Sequence, residues 1–257
     1  MQIAILETGE PPAPLANRFG AYPAMMETML APLAPDLSFT AVRVFDEGAP
    51  PPVGSVDGAL IAGSPAGVYE QHAFIAPLED FVRRMAGSGK PVVGICFGHQ
   101  LMAQAFGGRV EKSAKGWGVG LQDYRVVGNG AWMTPRAARV ACAASHQDQV
   151  VEAPKGAARL LESDFCPYAG LAYAEGSAIS FQAHPEFDHD FAAALLRQRE
   201  ERLPGALFGK ALASLAKPSD RAVIARWIAN FFLQPAGMMT SEAQKWGKGA
   251  AAETAGE

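Results

Sequence analysis

Cysteine is scarce in this chain, with three in 257 residues at positions 96, 142 and 166. An odd, widely spaced set closes no disulfide framework and holds no C-x-x-C pair for zinc or redox chemistry. Long apolar runs are also missing. Nowhere do 18 consecutive apolar residues occur, the minimum for a membrane-spanning helix. Basic residues are in deficit, 22 Lys and Arg against 26 Asp and Glu, for a net charge of −4. With a pI near 5.8 and no basic run, nothing draws the chain to nucleic acid or to an anionic membrane. The opening MQIAILETGEPPAP lacks the basic flank and apolar length of a secretory signal. Together these absences predict a reducing, cytoplasmic setting.

Histidine is nearly as scarce, at 72, 99, 146, 184 and 189. A metal site from His146, Asp148, His184 and His189 is formally available, but no pair has a spacing such as H-E-x-x-H, so no metal is expected. No GxxxxGK[ST] nucleotide loop occurs either, and no organic cofactor is expected.

What is present is the material of one sizeable core, 49% apolar and 19% charged. MQIAILE reads as a buried first strand, followed by a Pro/Gly-rich loop. The Met25, Met26, Met29, Leu30 and Leu33 stripe predicts a helix over 22–33 that faces the core. Strands are expected over 38–45 and 57–62, a helix over 74–85, a strand over 91–95 and a helix over 99–106. Strands alternating with helices predict an α/β fold built on a mostly parallel sheet flanked by helices. From 110 to 182 short β-rich pieces predict small antiparallel additions and a last core strand at 178–183. Helical spacing returns at 190–202 and 221–232. One domain over 1–235 is expected, with the small, polar, aperiodic segment 236–257 as a disordered tail.

In parallel sheets ligands bind beyond the carboxyl ends of the strands. GICFGHQ (94–100) falls there, directly after an apolar strand. G-x-Cys-x-G fits a nucleophile elbow, in which glycines permit a sharp turn from strand to helix. The helix that follows would aim its N-terminus at Cys96 and favour the attacking thiolate. It would also present the Phe97 amide to a developing oxyanion. A buried structural cysteine is the plainer reading of the motif alone. FQAHPEF (181–187) places His184 after another apolar strand, with Glu186 two residues on to orient the imidazole, which completes the logic of a Cys-His-Glu relay. His99 reads as structural, and His146 as either a loop histidine or a participant. Cys142 and Cys166 lack a glycine elbow or an adjacent base and read as inert.

GICFGHQ followed by HPE resembles the class I (triad) glutamine amidotransferases, and the resemblance extends over roughly residues 1–235. It implies a flavodoxin-like core, with Cys96 as nucleophile, His184 as general base and acid, and Glu186 as its orienting partner. IAGSP (61–65) lies where that family carries a glycine pair before proline, so Ser64 takes the place of a glycine whose amide helps bind the oxyanion. Gln100 matches the glutamine that meets the substrate's α-amino-acid end. SHQDQV (145–150) resembles the segment whose backbone, around Ser145 and Gln147, holds that same end.

The resemblance leaves the amide open. KGWGVG (115–120) resembles both stand-alone relatives of the amidotransferase domain of GMP synthase and γ-glutamyl peptidases. The first reading is hydrolysis of glutamine's γ-amide through a thioester, with any ammonia acceptor on a separate synthetase subunit. The second is a γ-glutamyl peptide hydrolase that works without one. A non-catalytic scaffold binding a γ-glutamyl compound is a third, disfavoured because Cys96, His184 and Glu186 are all present.

Overall fold

The computed structural model describes residues 1–173 and 176–234, so the tail expected beyond 235 lies outside the described residues. Strand β1 (Gln2–Glu7) is buried from Ile3 to Glu7. The Pro/Gly-rich segment after it is not all loop, because helix α1 (Ala13–Phe19) forms within it. Helix α2 (Tyr22–Leu30) follows. Both helices carry a proline in the first turn, where the missing N–H would have had no partner. Met26, Met29 and Leu30 of α2 are buried as expected, but the helix stops at Leu30 and leaves Leu33 in a turn, partly buried.

Strand β2 (Ser38–Arg43) runs into a single helical turn, α3 (Val44–Glu47). Next come β3 (Gly58–Ile61) and α4 (Ile75–Gly87), which buries Leu78, Phe81, Val82 and Met85 on one face. Strand β4 (Val92–Ile95) leads directly into α5 (Phe97–Ala105). The β-rich middle comprises β5 (Arg109–Lys112), β6 (Gly118–Val126), β7 (Arg139–His146), β8 (Asp148–Glu152), β9 (Ala158–Glu162), β10 (Gly170–Ala172) and β11 (Ala178–Phe181). The described residues end with α6 (His189–Gln198), α7 (Gly205–Ser214) and α8 (Arg221–Phe232).

Among the described residues, nine strands make one sheet in the order β2-β1-β3-β4-β11-β10-β9-β6-β7. The first five run parallel to one another. From β11 onward every neighbour is antiparallel, so the expected additions continue the same sheet instead of forming a separate layer. Strands β5 and β8 form a small antiparallel pair of their own.

The sheet separates two apolar cores. Ile3, Ile5 and Leu60 point into one with α2, α6 and α8, while Ala4, Leu6 and Ile61 point into the other with α4 and α5. Burial on both faces explains why these strands read as continuous apolar runs without alternation. The C-terminal helices extend the core. Helix α8 buries Ile224, Trp227, Ile228, Phe231 and Phe232 completely, each worth about 1.5–3 kcal/mol in area removed from water. Its Trp227 Nε1 also donates to the Pro135 carbonyl at 2.9 Å.

Parallel pairing in register decides what meets at the sheet's edge. Ile61 lies beside Gly94, and Ile95 beside Phe181. The residues that follow β3, β4 and β11 therefore emerge side by side. These are the segments carrying Ser64, Cys96 and His184.

Candidate active site

Cys96 occupies the N-cap position of α5 and is the only non-glycine residue with a left-handed φ among the described residues, at 52° with ψ −101°. Such a backbone state costs on the order of 1–3 kcal/mol and persists only where its surroundings impose it. Here the Cys96 amide donates to the Phe181 carbonyl at 2.9 Å, and the Gln100 amide donates back to the Cys96 carbonyl at 3.0 Å. The glycines on either side remove the remaining obstacles. A Cβ on Gly94 would lie 2.5 Å from the Gly98 carbonyl oxygen, and one on Gly98 would lie 2.4 Å from that of Ile61. The elbow therefore sits where helix and sheet touch without side chains between them. Phe97, the first residue of α5, has no preceding turn to accept its N–H, which faces the N-terminal end of the helix.

His184 follows β11 by three residues and is anchored by its amide to the Ala143 carbonyl at 2.8 Å. Its Nδ1 meets Glu186 Oε1 at 2.7 Å, and both side chains are buried. Cys96 lies on the ring's other side, the ring and the Cys96 Cβ both bordering Gly63. Phe187 stacks flat against the imidazole, 4.0 Å between centroids and 5° between planes, which fixes its orientation. Burial alone would suppress the imidazolium. The charges and hydrogen bonds of Cys96 and Glu186 outweigh it and raise the His184 pKa above its ordinary value. Arg221 braces the turn from below, donating from Nε to the Pro185 carbonyl at 2.8 Å and from Nη2 to the Glu186 carbonyl at 3.2 Å. Asp188 then caps α6 by accepting from the Phe191 amide at 2.7 Å.

Ser64 commits its hydroxyl to the loop, donating to the Thr8 carbonyl at 2.7 Å and accepting from the Ala66 amide at 3.1 Å. What it has left to offer the cavity is backbone. Gly63 beside it has a packing duty, since a Cβ there would come within 3.1 Å of His184 Cε1. Ser64, Cys96, Gln100, Ser145 and Gln147 all line one cavity of about 190 Å³. Gln100 Nε2 donates to the Asp148 carbonyl at 2.8 Å and to Gln182 Oε1 at 3.1 Å, so its own side-chain oxygen is the group turned to other use.

Two polar residues here carry no motif, and sequence alone does not single them out. Gln182 is fully buried and donates to Cys96 Sγ at 3.5 Å, linking Cys96 to Gln100. Arg199, at the end of α6, reaches into the cavity and donates from Nη1 to Ser145 Oγ at 2.6 Å. Position after a strand hints at the first. Nothing in the spacing marks the second.

The other histidines and cysteines sort by burial. His99 Nδ1 pairs with Ser180 Oγ at 2.7 Å, and burial pushes its pKa down to about 3, consistent with a structural role. His146 is not on a loop. It ends β7, buried, with Nδ1 against the Asp148 carbonyl at 3.0 Å, and burial brings its pKa down to about 4. Cys142 and Cys166 are buried in the apolar core, where burial pushes both thiols up, Cys166 to about 12. Among the described residues no group of three or more His, Cys, Asp or Glu side chains is placed to hold a metal ion. No helix among them is long and apolar enough to cross a membrane.

Chemically, a thiol beside a carboxylate-bound imidazole and backbone amides are the groups that acyl transfer requires.

Comparison with known proteins meets this geometry from outside. The family model for glutamine amidotransferase class-I matches residues 39–199. The GMP synthase [glutamine-hydrolyzing] of Vibrio vulnificus is 37% identical over 133 residues, which is 52% of this chain and 25% of the relative. That of Aliivibrio fischeri is 35% identical over the same length and shares. The chain thus spans about a quarter of the length of the curated relatives it matches. Among solved structures, a glutamine amidotransferase from Thermotoga maritima aligns with TM-score 0.75 at 16% identity, covering 91% of this chain and 99% of the other. A putative GMP synthase subunit from Thermoplasma acidophilum aligns with TM-score 0.58 at 17% identity, covering 79% and 97%. At such identities these two likenesses speak for the fold.

Proposed function

The chain belongs to the class-I glutamine amidotransferase family, and on that premise we propose that it hydrolyses the γ-amide of glutamine through Cys96, His184 and Glu186. The observation that carries this reading is the buried His184–Glu186 pair, bonded at 2.7 Å, set beside Cys96 at the shared edge of β4 and β11. The Cys96 thiolate attacks the γ-carboxamide carbon, and the oxyanion takes hydrogen bonds from the amides of Phe97 and Ser64. His184, charged and held by Glu186, passes its proton to the departing nitrogen as the C–N bond breaks. Ammonia leaves, and Cys96 carries a γ-glutamyl thioester. Water then gives a proton back to His184 and attacks the thioester, which releases glutamate and restores the thiolate. Gln100, Ser145 and Gln147 receive the α-amino-acid end. Pre-organised amides at a helix N-terminus do the largest share of such work, about 10²–10³-fold per donor.

The ammonia acceptor in this reading is a separate synthetase subunit. Its support is that a neighbour of similar fold is described as one subunit of a GMP synthase. The competing substrate class is a γ-glutamyl peptide, cleaved by the same steps with an amine as leaving group.

Glutamate release from purified protein, measured with glutamine and with a panel of γ-glutamyl peptides, tests the assignment. Slow glutamine turnover with no peptide cleavage is expected of an amidotransferase lacking its synthetase. Peptide turnover well above that of glutamine would transfer the assignment to a γ-glutamyl peptide hydrolase. Release from neither would sink both.

A further inference from the structure

Among the described residues, Arg199 is a cation with no counter-charge in contact. Its Nη1 donates to the carbonyl of Ser145 at 3.2 Å and to Ser145 Oγ at 2.6 Å, and the guanidinium lies over the Trp117 ring, 5.3 Å from its centroid. Neutral partners hold it in place. Among the described residues no carboxylate lies within 4 Å of it, although Arg43, Arg109, Arg125 and Arg139 on the surface each have an acidic partner. A guanidinium taken partly out of water without a counter-charge is costly, and burial weighs against its charged form. Cost of this kind is repaid where an anion is meant to arrive.

The place where it waits is informative. Arg199 lines the same cavity as Cys96, and it is clamped to Ser145, close in sequence to Gln147. The cavity is also lined by the acids Asp148 and Glu70, the former half-buried, and by Tyr69. Gln100 lines it too, its amide nitrogen already used and its side-chain oxygen left over. A cationic fork and a set of acceptors in one cavity match a free α-amino acid, carboxylate to guanidinium and ammonium to the acids. Arginine suits the first role because its planar donors meet both carboxylate oxygens at once.

We propose that Arg199 anchors the substrate's α-carboxylate, so that the site takes γ-glutamyl compounds whose α-carboxylate is free. This rests on the functional reading above and narrows it. Compounds with that carboxylate esterified or joined in a peptide bond lose the contact and bind as poorly as they would to a site without Arg199.

Calorimetry with L-glutamate, and with 4-aminobutyrate as the analogue lacking the α-carboxylate, tests the anchor in wild type, Arg199→Gln and Arg199→Lys. Wild type is expected to prefer glutamate by about 10- to 100-fold, the value of a charge-assisted contact. In Arg199→Gln that preference falls to about one because glutamate weakens while 4-aminobutyrate does not, and Arg199→Lys recovers part of it. Glutamine hydrolysis should then show a raised KM with little change in kcat. An unchanged preference in Arg199→Gln overturns the anchor, as does parallel loss of both ligands, which would mean a purely structural brace on Ser145. Wild type that binds glutamate with this preference yet cleaves no γ-amide keeps the anchor and refutes the catalytic reading. Wild type that does not bind glutamate refutes both.

Discussion

Cys96→Ala is expected to lower γ-amide hydrolysis by about 10⁴-fold or more, because the variant has no atom to carry the acyl group. The fold should survive the change, since alanine keeps the Cβ and removes only the sulfur that Gln182 and His184 contact. Loss of the sulfur also removes one of the two groups that raise the His184 pKa. His184→Asn should fall about as far, and the double variant scarcely further, since residues acting as one unit do not contribute additively. Cys142→Ala and Cys166→Ala are the controls. Burial in the apolar core pushes both thiols up, so activity per folded molecule should be unchanged. Glutamate release under saturating substrate separates these outcomes. Residual turnover above about 1% of wild type in Cys96→Ala would mean that another group carries the reaction.

Gly98→Ala should destabilise the protein by about 3 kcal/mol or more and take the activity with it. Overpacking a core usually costs about 1–3 kcal/mol when side chains can shift to make room. Here the new methyl group would meet the Ile61 carbonyl oxygen at 2.4 Å and Ile61 Cβ at 2.9 Å, so backbone must move. Either α5 lifts off β3, or the Gly98 amide loses its bond to the Ala62 carbonyl, now 3.2 Å. Both displace the helix start that presents Cys96 and the Phe97 amide. Gly209→Ala makes the contrast, because Gly209 lies exposed inside α7 with nothing within 4 Å of a new Cβ. There the same exchange should stabilise by about 0.5–1 kcal/mol through helix propensity. Denaturant midpoints for the two variants test the difference in sign.

The parallel half of the sheet was legible because burial on both faces leaves an unmistakable apolar run in β1, β3 and β4, and because glycines mark the end of α4. The elbow was legible for a related reason, since its glycines are demanded by contact distances that any side chain would violate. Other parts hid behind residues that usually mean something else. Helix α1 was masked by prolines, which break helices everywhere except in the first turn, where they sit. Strand β5 is short, with only Val110 buried, so no alternating pattern could form. Helix α7 contains two glycines and lies on β6, where Ser214 Oγ accepts from the Leu121 amide at 2.8 Å, a pairing across 93 residues.

Within the site the division is similar. Cys96, His184 and Glu186 announce themselves because a cysteine between glycines and a His-Pro-Glu turn sit at strand ends in short, recognisable strings. Gln182 and Arg199 do not. Their contributions come from what β11 and α6 happen to face once packed, and Arg199 finds Ser145 at a separation of 54 residues. His146 took its character from burial, which sequence position could not supply.

The most direct test of the central claim is the intact mass of the protein after rapid mixing with glutamine or a γ-glutamyl peptide and quenching in acid, where thioesters survive. The account predicts a population heavier by one γ-glutamyl group, mapped by peptide digestion to Cys96 and missing in Cys96→Ala. Turnover that continues with no adduct on Cys96 at any mixing time, in wild type or in a slowed His184→Asn background, would contradict it.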